Sequence, residues 1–547
     1  MSSIRLTGLA TGIDTDQMIK ELMKAERTRV DRVQQDKQIL QWRQELYNSI
    51  NKDFANFILN TKKDFGLSVT TSTGSIDNKS LSSLNWVKRA LSSNENAVKA
   101  STTSQAINGT YDVTVHRLAD GVKGASSEDI SGDLDGLLGQ DFDFIINGKT
   151  ITVKQEDNMA AIVKTINASD AGVQASYDAS IGRFFIQTKA TGEEASLSFE
   201  GTSVKGKEFI DALKLNVTGG NKSFAYDPGD LSKSIVDEVG AFTGTNALID
   251  FNGALGIEKS SNQFTINGIN LDIRQADPAS KISIKVDTDT DAVYDKIKGF
   301  VDKYNELMDK MGKLIGEKQY RDYRPLSAEQ KESMKEKEIE LWEEKAKSGL
   351  VRNDSMITSI MQNVRGSLYQ SVTGLENSPF NALYQLGIET EKYSAGSIGG
   401  KLEINEDKLR KAISEDVNGV LEVLFSEADT TTKNGKTVPV KNSGGVVTRV
   451  FNNIIDGMND ILGKAGPGED ANLYRSINTR LMLDFVTEHS SISMLDKDLI
   501  DMDKRINDLN VMLLTKEDRY YRQFSTMEKF VSQMNSQGNW FMQQLGM

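Results

Sequence analysis

The stretch ISMLDKDLIDMDKRINDLNVMLLTKEDRYYRQFSTMEKFVSQMNSQGNWF, residues 492–541, decides the fold because it carries one long helical pattern. Its apolar side chains recur every 3.5 residues on average, which is typical of a coiled coil. Lys516, Gln523 and Gln537 are the polar positions of this stripe. A buried helix of an ordinary bundle is the alternative, and both interpretations predict packing against other helices. The apolar members are Ile492, Leu495, Leu499, Met502, Ile506, Leu509, Leu513, Tyr520, Met527, Phe530, Met534 and Phe541.

A second long helix is predicted near the start of the sequence, from Asp14 as the N-cap to about Asp64. This stretch has few helix breakers and many Lys, Glu, Gln and Arg residues. Charged residues, including Glu26, interrupt its apolar register. At about 1.5 Å per residue both helices would be roughly 70 Å long, so we expect them to lie side by side. The apolar register consists of Ile19, Leu22, Val33, Leu40, Tyr47, Ile50, Phe54 and Phe57.

Between the two helices the pattern changes to β structure. From Trp86 to Val286 apolar residues alternate with polar ones, which predicts antiparallel strands. The segments FIINGKTITV (144–153) and FTINGINLDI (264–273) share one pattern. Asn-Gly favours the type I′ turn of a two-residue hairpin, so each segment is predicted to be a hairpin, and Asn252-Gly253 a third.

Helical spacing returns after Thr290 and predicts a bundle. The fold class is therefore α+β and multidomain, with long terminal coiled-coil helices, a helical bundle leg and inserted antiparallel β head domains. The predicted bundle helices include residues 328–347 capped by Ser327, 355–371 after Asp354, 406–425 after Asn405, and 446–462.

Composition argues against several functions. The chain has 65 basic and 78 acidic residues and a formal charge of −13, so nucleic acid is a poor ligand. It has no cysteine and two histidines, His116 and His489, which leaves little material for a metal site or a catalytic triad. We predict no catalytic residue, no metal and no cofactor, and therefore no enzyme.

The run DTDTDA, residues 287–292, begins like a calcium loop, but Ala292 occupies the position that needs glycine. We expect these carboxylates to end a strand and to favour the start of the next helix. The sequence contains no apolar run of about 18 residues, and its first residues lack a secretory apolar region, so neither membrane insertion nor a cleaved signal peptide is predicted.

A family resemblance appears at both ends of the sequence. GLATGIDTDQMIKELMKAE (8–26) and FSTMEKFVSQMNSQGNW (524–540) closely resemble the terminal regions of the flagellar hook-associated protein 2 family, the bacterial flagellar filament caps. The two hairpin segments resemble the flagellin hook IN motif, and FVDKYNELM (300–308) resembles the C-terminal half of that family.

The resemblance implies a structural protein at the distal tip of the bacterial flagellum, outside the cell. Members leave through the flagellar type III export apparatus, with a chaperone and without a cleaved signal. They form a ring-shaped homo-oligomer that guides flagellin polymerisation and prevents flagellin loss, so no active site is needed. Host glycans or mucin are a further expected partner of the head.

The predicted domains follow from this resemblance together with the patterns above. The terminal coiled coil comprises residues 1–44 and 500–547, and the helical leg 45–83 and 290–499. The inner β head comprises 84–120 and 242–289, and the outer β head 121–241. Large aromatic residues near the C-terminus are costly to expose and useful in an interface, although coiled-coil core is an equal alternative. The predicted assembly interface consists of Ile19, Leu22, Val33, Leu40, Leu499, Ile506, Leu513, Phe530, Trp540 and Phe541.

Two other functions are alternatives to the filament cap. The first is a surface adhesin with a glycan-binding β head on a helical stalk, which binding of isolated residues 84–289 to mucin would favour. The second is an enzyme such as a glycosidase, but no motif here pairs two carboxylates for that chemistry.

Overall fold

The computed structural model describes residues 14–71, 76–134, 136–230, 232–375, 378–391, 399–433 and 436–544. The opening residues of the predicted terminal region, 1–13, and its last three, 545–547, therefore lie outside the described residues. The chain forms two compact units, one from residues 1–79 with 294–547 and the other from residues 80–293. In the ranges given above, no helix combines the length and the apolar character that crossing a membrane requires.

Helices dominate the first unit and strands the second. The helices are α1 (Thr15–Asp64), α2 (Met159–Ala168), α3 (Val204–Ala212), α4 (Thr290–Gly316), α5 (Ala328–Glu332), α6 (Glu336–Lys347), α7 (Ser355–Tyr369), α8 (Glu406–Glu415), α9 (Val417–Phe425), α10 (Val446–Ala465), α11 (Ala471–Ile477), α12 (Thr479–His489) and α13 (Met494–Gln544). The strands are β1 (Ser68–Thr70), β2 (Ile76–Asn78), β3 (Lys88–Ser92), β4 (Val98–Thr102), β5 (Gly109–Arg117), β6 (Lys123–Ser126), β7 (Phe142–Ile146), β8 (Lys149–Val153), β9 (Val173–Asp178), β10 (Arg183–Thr188), β11 (Ser196–Leu197), β12 (Leu215–Thr218), β13 (Ser223–Phe224), β14 (Phe242–Thr243), β15 (Ala247–Phe251), β16 (Ala254–Lys259), β17 (Gln263–Ile266), β18 (Ile269–Ile273), β19 (Asp277–Thr288), β20 (Ile388–Thr390), β21 (Leu402–Ile404), β22 (Thr430–Lys433) and β23 (Lys436–Pro439).

The first long helix begins and ends where its sequence predicts. Asp14 is the N-cap of α1, and its side chain accepts a hydrogen bond from the backbone N–H of Gln17 at 2.9 Å. Acceptance by an N-cap carboxylate satisfies one of the free amides of the first turn. The C-terminal half of α1 is held in the bundle, because the ring of Phe57 lies 6.1 Å from that of Phe451 in α10.

Helix α10 is the centre of the bundle and crosses α7 closely. A Cβ on Gly457 would lie 2.5 Å from Cγ1 of Ile360, so the crossing leaves no room for a side chain there. Asn51 of α1 donates to the carbonyl of Met458 at 3.2 Å. These contacts fix α1 and α7 on two sides of α10 and bury the residues between them.

Two predicted helices are each broken in two, and both predictions of a single helix were wrong. The predicted helix 328–347 ends its first part at Glu332, and Lys335 is extended before α6 begins. The predicted helix 406–425 is interrupted at Asp416, whose side chain caps α9 by accepting from the N–H of Gly419. At the first break the carboxylate of Glu338 accepts from the backbone N–H of Lys335 at 3.1 Å, and at the second Asp416 caps with its own side chain. In both places a local cap defeats continuous helical spacing.

The second unit contains two apolar cores. One lies between the five-stranded sheet β16-β15-β5-β19-β3 and the three-stranded sheet β17-β18-β4. The other lies on one face of the sheet β13-β12-β6-β10-β9, where α2, α3 and the β7-β8 hairpin cover it. The sheets are antiparallel, as the alternating pattern predicts.

The three Asn-Gly hairpins are confirmed. Asn147 and Gly148 have φ angles of 49° and 72°, Asn267 and Gly268 of 50° and 77°, and Asn252 and Gly253 of 47° and 88°. Positive φ at both central positions is what a type I′ turn demands.

The acidic run at the end of the β region lies at the start of a helix, as predicted. β19 ends at Thr288 and α4 begins at Thr290. The carboxylate of Asp289 accepts a hydrogen bond from the N–H of Ala292 at 3.0 Å, which caps the helix. Within the described ranges, no group of three or more His, Cys, Asp or Glu side chains is arranged to hold a metal ion.

The chain passes between the two cores of the second unit at Asp120 and Thr245. These residues pair as an isolated antiparallel bridge, with N–H to O distances of 3.0 and 2.9 Å in the two directions. The segment between them therefore leaves and returns at one place. A chain that leaves and returns at one place is what an inserted outer β domain requires. The limits given above for the four domains stay a prediction.

Candidate assembly interface

The terminal helices α1 and α13 lie side by side and antiparallel. Polar contacts along their length show the direction, because residue numbers rise on α1 as they fall on α13. These contacts join Lys516 Nζ to Glu26 Oε2 at 2.6 Å, Lys37 Nζ to Asp503 Oδ1 at 2.5 Å, and Gln44 Nε2 to Asp496 Oδ1 at 2.7 Å. We call α1 and α13 the terminal helix pair.

A small apolar cluster holds the outer part of this pair together. Its buried members are Ile19, Met23 and Val30 from α1 and Leu513 from α13, and we call them the seam. Half-buried residues of α13 pack around the seam and close it on its flanks. They are Ile506, Leu509, Tyr520, Tyr521 and Phe524.

The polar interruptions of the two apolar registers meet each other. Glu26 and Lys516 lie within the pair, with side chains 22% and 24% exposed. The hydrogen bond from Lys516 holds the pKa of the Glu26 carboxyl below its ordinary value. An unpaired charge inside the seam would be costly, and the ion pair avoids that cost because each charge has a partner.

The inner end of the pair is tied to the bundle through amide and carboxylate groups. Gln44 Nε2 donates both to Asp496 Oδ1 and to the carbonyl of Ala465, the latter at 2.8 Å. Asp496 also accepts from the hydroxyl of Ser493 at 2.6 Å. Burial raises the pKa of Asp496, but these hydrogen bonds outweigh burial and lower it overall.

A buried polar triad fixes α1 where it enters the bundle. Tyr47, fully buried, donates from its hydroxyl to Asp354 Oδ2 at 2.5 Å, and Lys464 Nζ lies 2.5 Å from the same hydroxyl. Asp354 is also the N-cap of α7, accepting from the N–H groups of Met356 and Ile357. The triad therefore connects α1, α7 and α10 through one carboxylate.

The predicted interface residues fall into two groups. Ile19, Val33 and Leu513 are buried, and Leu40, Leu499 and Ile506 are half-buried. The others are exposed: Leu22 by 40%, Phe530 by 63%, Trp540 by 57% and Phe541 by 61%. The structure brings Ile19, Ile506 and Leu513 together in or beside the seam and leaves the exposed group at the surface.

The exposed group on α13 lies where the described part of α1 has ended. From the polar contacts above, Thr15 at the start of α1 lies level with about residue 526 of α13. Phe530 and the residues after it extend past that point. The rings of Trp540 and Phe541 lie 6.5 Å apart, edge to face. The neighbouring side chains of Met527, Met534 and Met542 are exposed by 40%, 68% and 55%.

Sequence reasoning missed residues on both helices. Met23 and Val30 belong to the seam, and their spacing of four and eleven residues from Ile19 was a usable signal. On α13, Ile500, Val511 and Leu514 share one face and form a second apolar stripe, exposed by 48%, 63% and 65%, which Lys504 and Asn507 interrupt. The adjacent pair Leu513-Leu514 indicates two apolar faces, since neighbours on a helix point about 100° apart.

Comparisons with known proteins cover almost the whole chain. The family model described as "Flagellar hook-associated protein 2 C-terminus" matches residues 244–536. The model of the N-terminus of the same protein matches residues 11–121, and the flagellin hook IN motif matches residues 139–190. A flagellar hook-associated protein 2 of Halalkalibacterium halodurans is 30% identical over 580 residues, covering 98% of each chain.

The chain belongs to the flagellar hook-associated protein 2 family. A flagellar hook-associated protein 2 of Thermotoga maritima is 28% identical, covering 73% of this chain and 54% of its own. A crystal structure of the flagellar cap protein FliD D1-D2-D3 domains from Escherichia coli is 21% identical with a TM-score of 0.46, covering 78% of this chain and 96% of that one.

Membership of the hook-associated protein 2 family confirms the sequence-based identification, the α+β multidomain fold class and the predicted function, a flagellar filament cap. It is a family of structural proteins of the flagellum. These relatives give no support to the alternative of a surface adhesin.

Proposed function

We propose that the chain assembles into a ring of identical copies at the distal end of the flagellar filament, outside the cell. There it contacts flagellin, guides each incoming subunit into place and prevents its loss. The observation that carries this proposal is the terminal helix pair, which is closed along the seam and yet exposes a row of large apolar side chains beyond it.

The size of this exposed surface supports an assembly role. Burying a large apolar side chain contributes about 1.5–3 kcal/mol relative to leaving it in water. Phe530, Met534, Trp540 and Phe541 are each more than half exposed on one helix end. Clusters of this kind on soluble proteins mark interaction sites, and aromatic residues dominate interface energies.

The second apolar stripe on α13 supports contacts between neighbouring copies. Ile500, Val511 and Leu514 are exposed in a stretch of α13 whose other side packs against α1. A helix that is apolar on two faces can join two partners at once. We therefore assign this stripe to ring contacts and the C-terminal aromatic segment to contacts at the filament tip.

The experiment replaces Phe530 by Asp in a strain that lacks its own copy of the gene. Because Phe530 is exposed in the isolated chain, the variant should fold, while a charge in a desolvated contact costs several kcal/mol. Filaments should be short or absent, and monomeric flagellin should accumulate in the medium. Ser532→Asp, an exposed change on another face of the same helix, is the control and should leave filaments normal.

Electron microscopy of filament tips gives the direct readout of the proposal. Tips should carry a ring when the wild-type chain is present and none when it is absent. Normal filament growth with Phe530→Asp would show that the exposed aromatic segment is not an assembly surface. A bare tip with the wild-type chain would refute the cap itself.

Further parts of the proposal concern chemistry and export. We propose that the chain acts through shape and motion without covalent chemistry, and a hydrolase screen of the purified protein tests that. We also propose export through the flagellar type III apparatus with its chaperone and without cleavage. Mass measurement of the protein recovered from the medium would show a shortened N-terminus if cleavage occurred.

Host glycans stay a predicted partner of the head, and one surface suits them. A groove of about 490 Å³ lies on the sheet β13-β12-β6-β10-β9. Phe185, exposed by 40%, lines it together with the amides of Gln174, Gln187 and Asn216. An aromatic face can pack on sugar C–H groups while amides bond to hydroxyls. Loss of mucin binding in Phe185→Ala, with swimming retained, would support this role, and absence of binding by the wild-type chain would refute it.

A further inference from the structure

One segment of the first unit leaves the bundle and returns to the same place. It comprises residues 318–348, between α4 and α7. Its ends are tied together, because the hydroxyl of Ser348 donates to the carbonyl of Lys318 at 2.7 Å, and the N–H of Gly349 donates to Glu317 Oε2 at 3.0 Å. Gly349 has a φ of 70°, and a Cβ there would lie 2.8 Å from backbone atoms of Gln319. The segment is therefore closed at its base.

Its interior is held by its own contacts. Trp342 of α6 donates from Nε1 to the carbonyl of Arg324 at 2.8 Å, and its ring lies 4.6 Å from that of Tyr323. Lys331 of α5 and Glu343 of α6 form an ion pair at 2.6 Å. Two short helices are thus fastened to each other and to the loop before them.

The inner side of this segment buries a tryptophan of α1. Trp42 is only 5% exposed, in a cluster with Ala346 of the segment and Leu350, which lies two residues after it. The ammonium of Lys347 lies 4.9 Å from the centre of the Trp42 ring. A tryptophan that is nearly fully buried makes a large contribution to a contact, because it removes more apolar surface from water than a smaller side chain does. Ile39 and Leu46 of α1 and Tyr323 of the segment pack around the cluster.

Charged residues extend the contact toward the start of α1. Arg324 pairs with Asp36, and Lys24 pairs with Glu329 at 2.6 Å. The Lys24 pair is well exposed, with both side chains about 60% accessible, so its weight is small. It nevertheless marks where the contact ends, near residue 24.

The same part of α1 also contacts α13, through Lys37 and Gln44. Residues 24–46 of α1 therefore have neighbours in both α13 and the segment, whereas the tertiary contacts described for Ile19 and Met23 are those of the seam with α13. A helix in water is marginal without tertiary contacts, and two long helices meeting along one narrow seam gain little from each other.

We propose that residues 318–348 are a brace that keeps α1 helical from residue 24 to residue 46 before the chain meets any other copy. The brace sets the point at which the terminal helix pair can open. Residues 15–23 of α1 are free to separate from α13, while residues 24–46 are held. This inference does not depend on the filament-cap function, because it concerns the isolated chain.

The test is hydrogen exchange on the purified full chain, compared with two variants. In the first, residues 319–347 are replaced by two glycines, which the contact between Lys318 and Ser348 permits. In the second, Ala346→Asp places a charge beside Trp42. Ala328→Asp, the same change at an exposed position of the brace, is the matched control.

We expect the wild-type chain to show a step in protection near residue 24. Both brace variants should raise exchange in residues 24–46 by roughly tenfold or more, while α10 stays protected and Ala328→Asp changes nothing. Unchanged protection of residues 24–46 in the deletion variant would overturn the proposal. Equal loss of protection in α10 would overturn it as well, since the segment would then support the whole bundle.

Discussion

Leu513→Ala tests the seam most sharply, because the next residue is its natural control. Leu513 is 8% exposed and packs with Ile19, Met23 and Val30, whereas Leu514 is 65% exposed. Removing a buried leucine side chain costs about 2–5 kcal/mol, and a site that can collapse lies at the lower end. The residues flanking the seam are only half-buried, so we expect about 2 kcal/mol for Leu513→Ala. For Leu514→Ala we expect less than about 0.5 kcal/mol.

These free energies translate into rates of local opening. About 2 kcal/mol corresponds to a roughly 30-fold change in an opening equilibrium. Hydrogen exchange in residues 506–520 of α13 should accelerate by about that factor in Leu513→Ala and by no more than about twofold in Leu514→Ala. Similar effects of the two substitutions would refute the assignment of Leu513 to the seam. In cells Leu514 should matter although it contributes little to the stability of the seam: Leu514→Asp should fold but fail to form ring contacts.

Three further changes test the bundle and the head. Tyr47→Phe should lower the free energy of unfolding by about 1–3 kcal/mol. Burial raises the pKa of Asp354, but its hydrogen bonds and Lys464 bring this pKa below 3.8. The difference between Tyr47→Phe and the wild type should therefore shrink below about pH 4, because Asp354 becomes protonated there. Urea unfolding with a pH-independent difference would contradict this. Gly457→Ala should destabilise the α7–α10 crossing by about 1–3 kcal/mol, whereas Gly299→Ala, with open space around it, should stabilise its helix; thermal unfolding that moves both in the same direction would contradict the close crossing. Replacing residues 121–244 by a short Gly/Ser linker should leave filament growth at least partly intact, and complete loss of filaments with a folded, exported protein would show that the outer β head holds the ring.

The features predicted best from the sequence are those that a few neighbouring residues determine. Asp14 caps α1 because its carboxylate reaches the N–H of Gln17, three residues away. The Asn-Gly hairpins follow from the φ angles that two adjacent residues can adopt. The helix breaks at Lys335 and Asp416 were missed although they are also local, because apolar spacing continues through a cap and outweighed it in the prediction.

The seam was harder to predict because its register depends on the partner helix. A strict seven-residue pattern favoured Leu22, yet the structure buries Met23 and exposes Leu22 by 40%. Both are apolar and adjacent, so the sequence of α1 alone does not decide between them. Nor does it show that Glu26, an interruption on one helix, faces Lys516, the interruption on the other. A pattern read on one helix cannot supply the rotation of that helix about its axis.

The stripe on α13 therefore has two parts with different tasks, although its spacing is continuous. Up to about residue 524, α1 covers it and the two helices satisfy each other within one chain. Beyond that point the same spacing presents Phe530, Met534 and Phe541 to solvent. An apolar stripe that continues past its described intramolecular partner is what an assembly surface needs, because it gains free energy only when another chain arrives. The buried half makes the chain fold, and the exposed half, in the proposed ring, makes it associate.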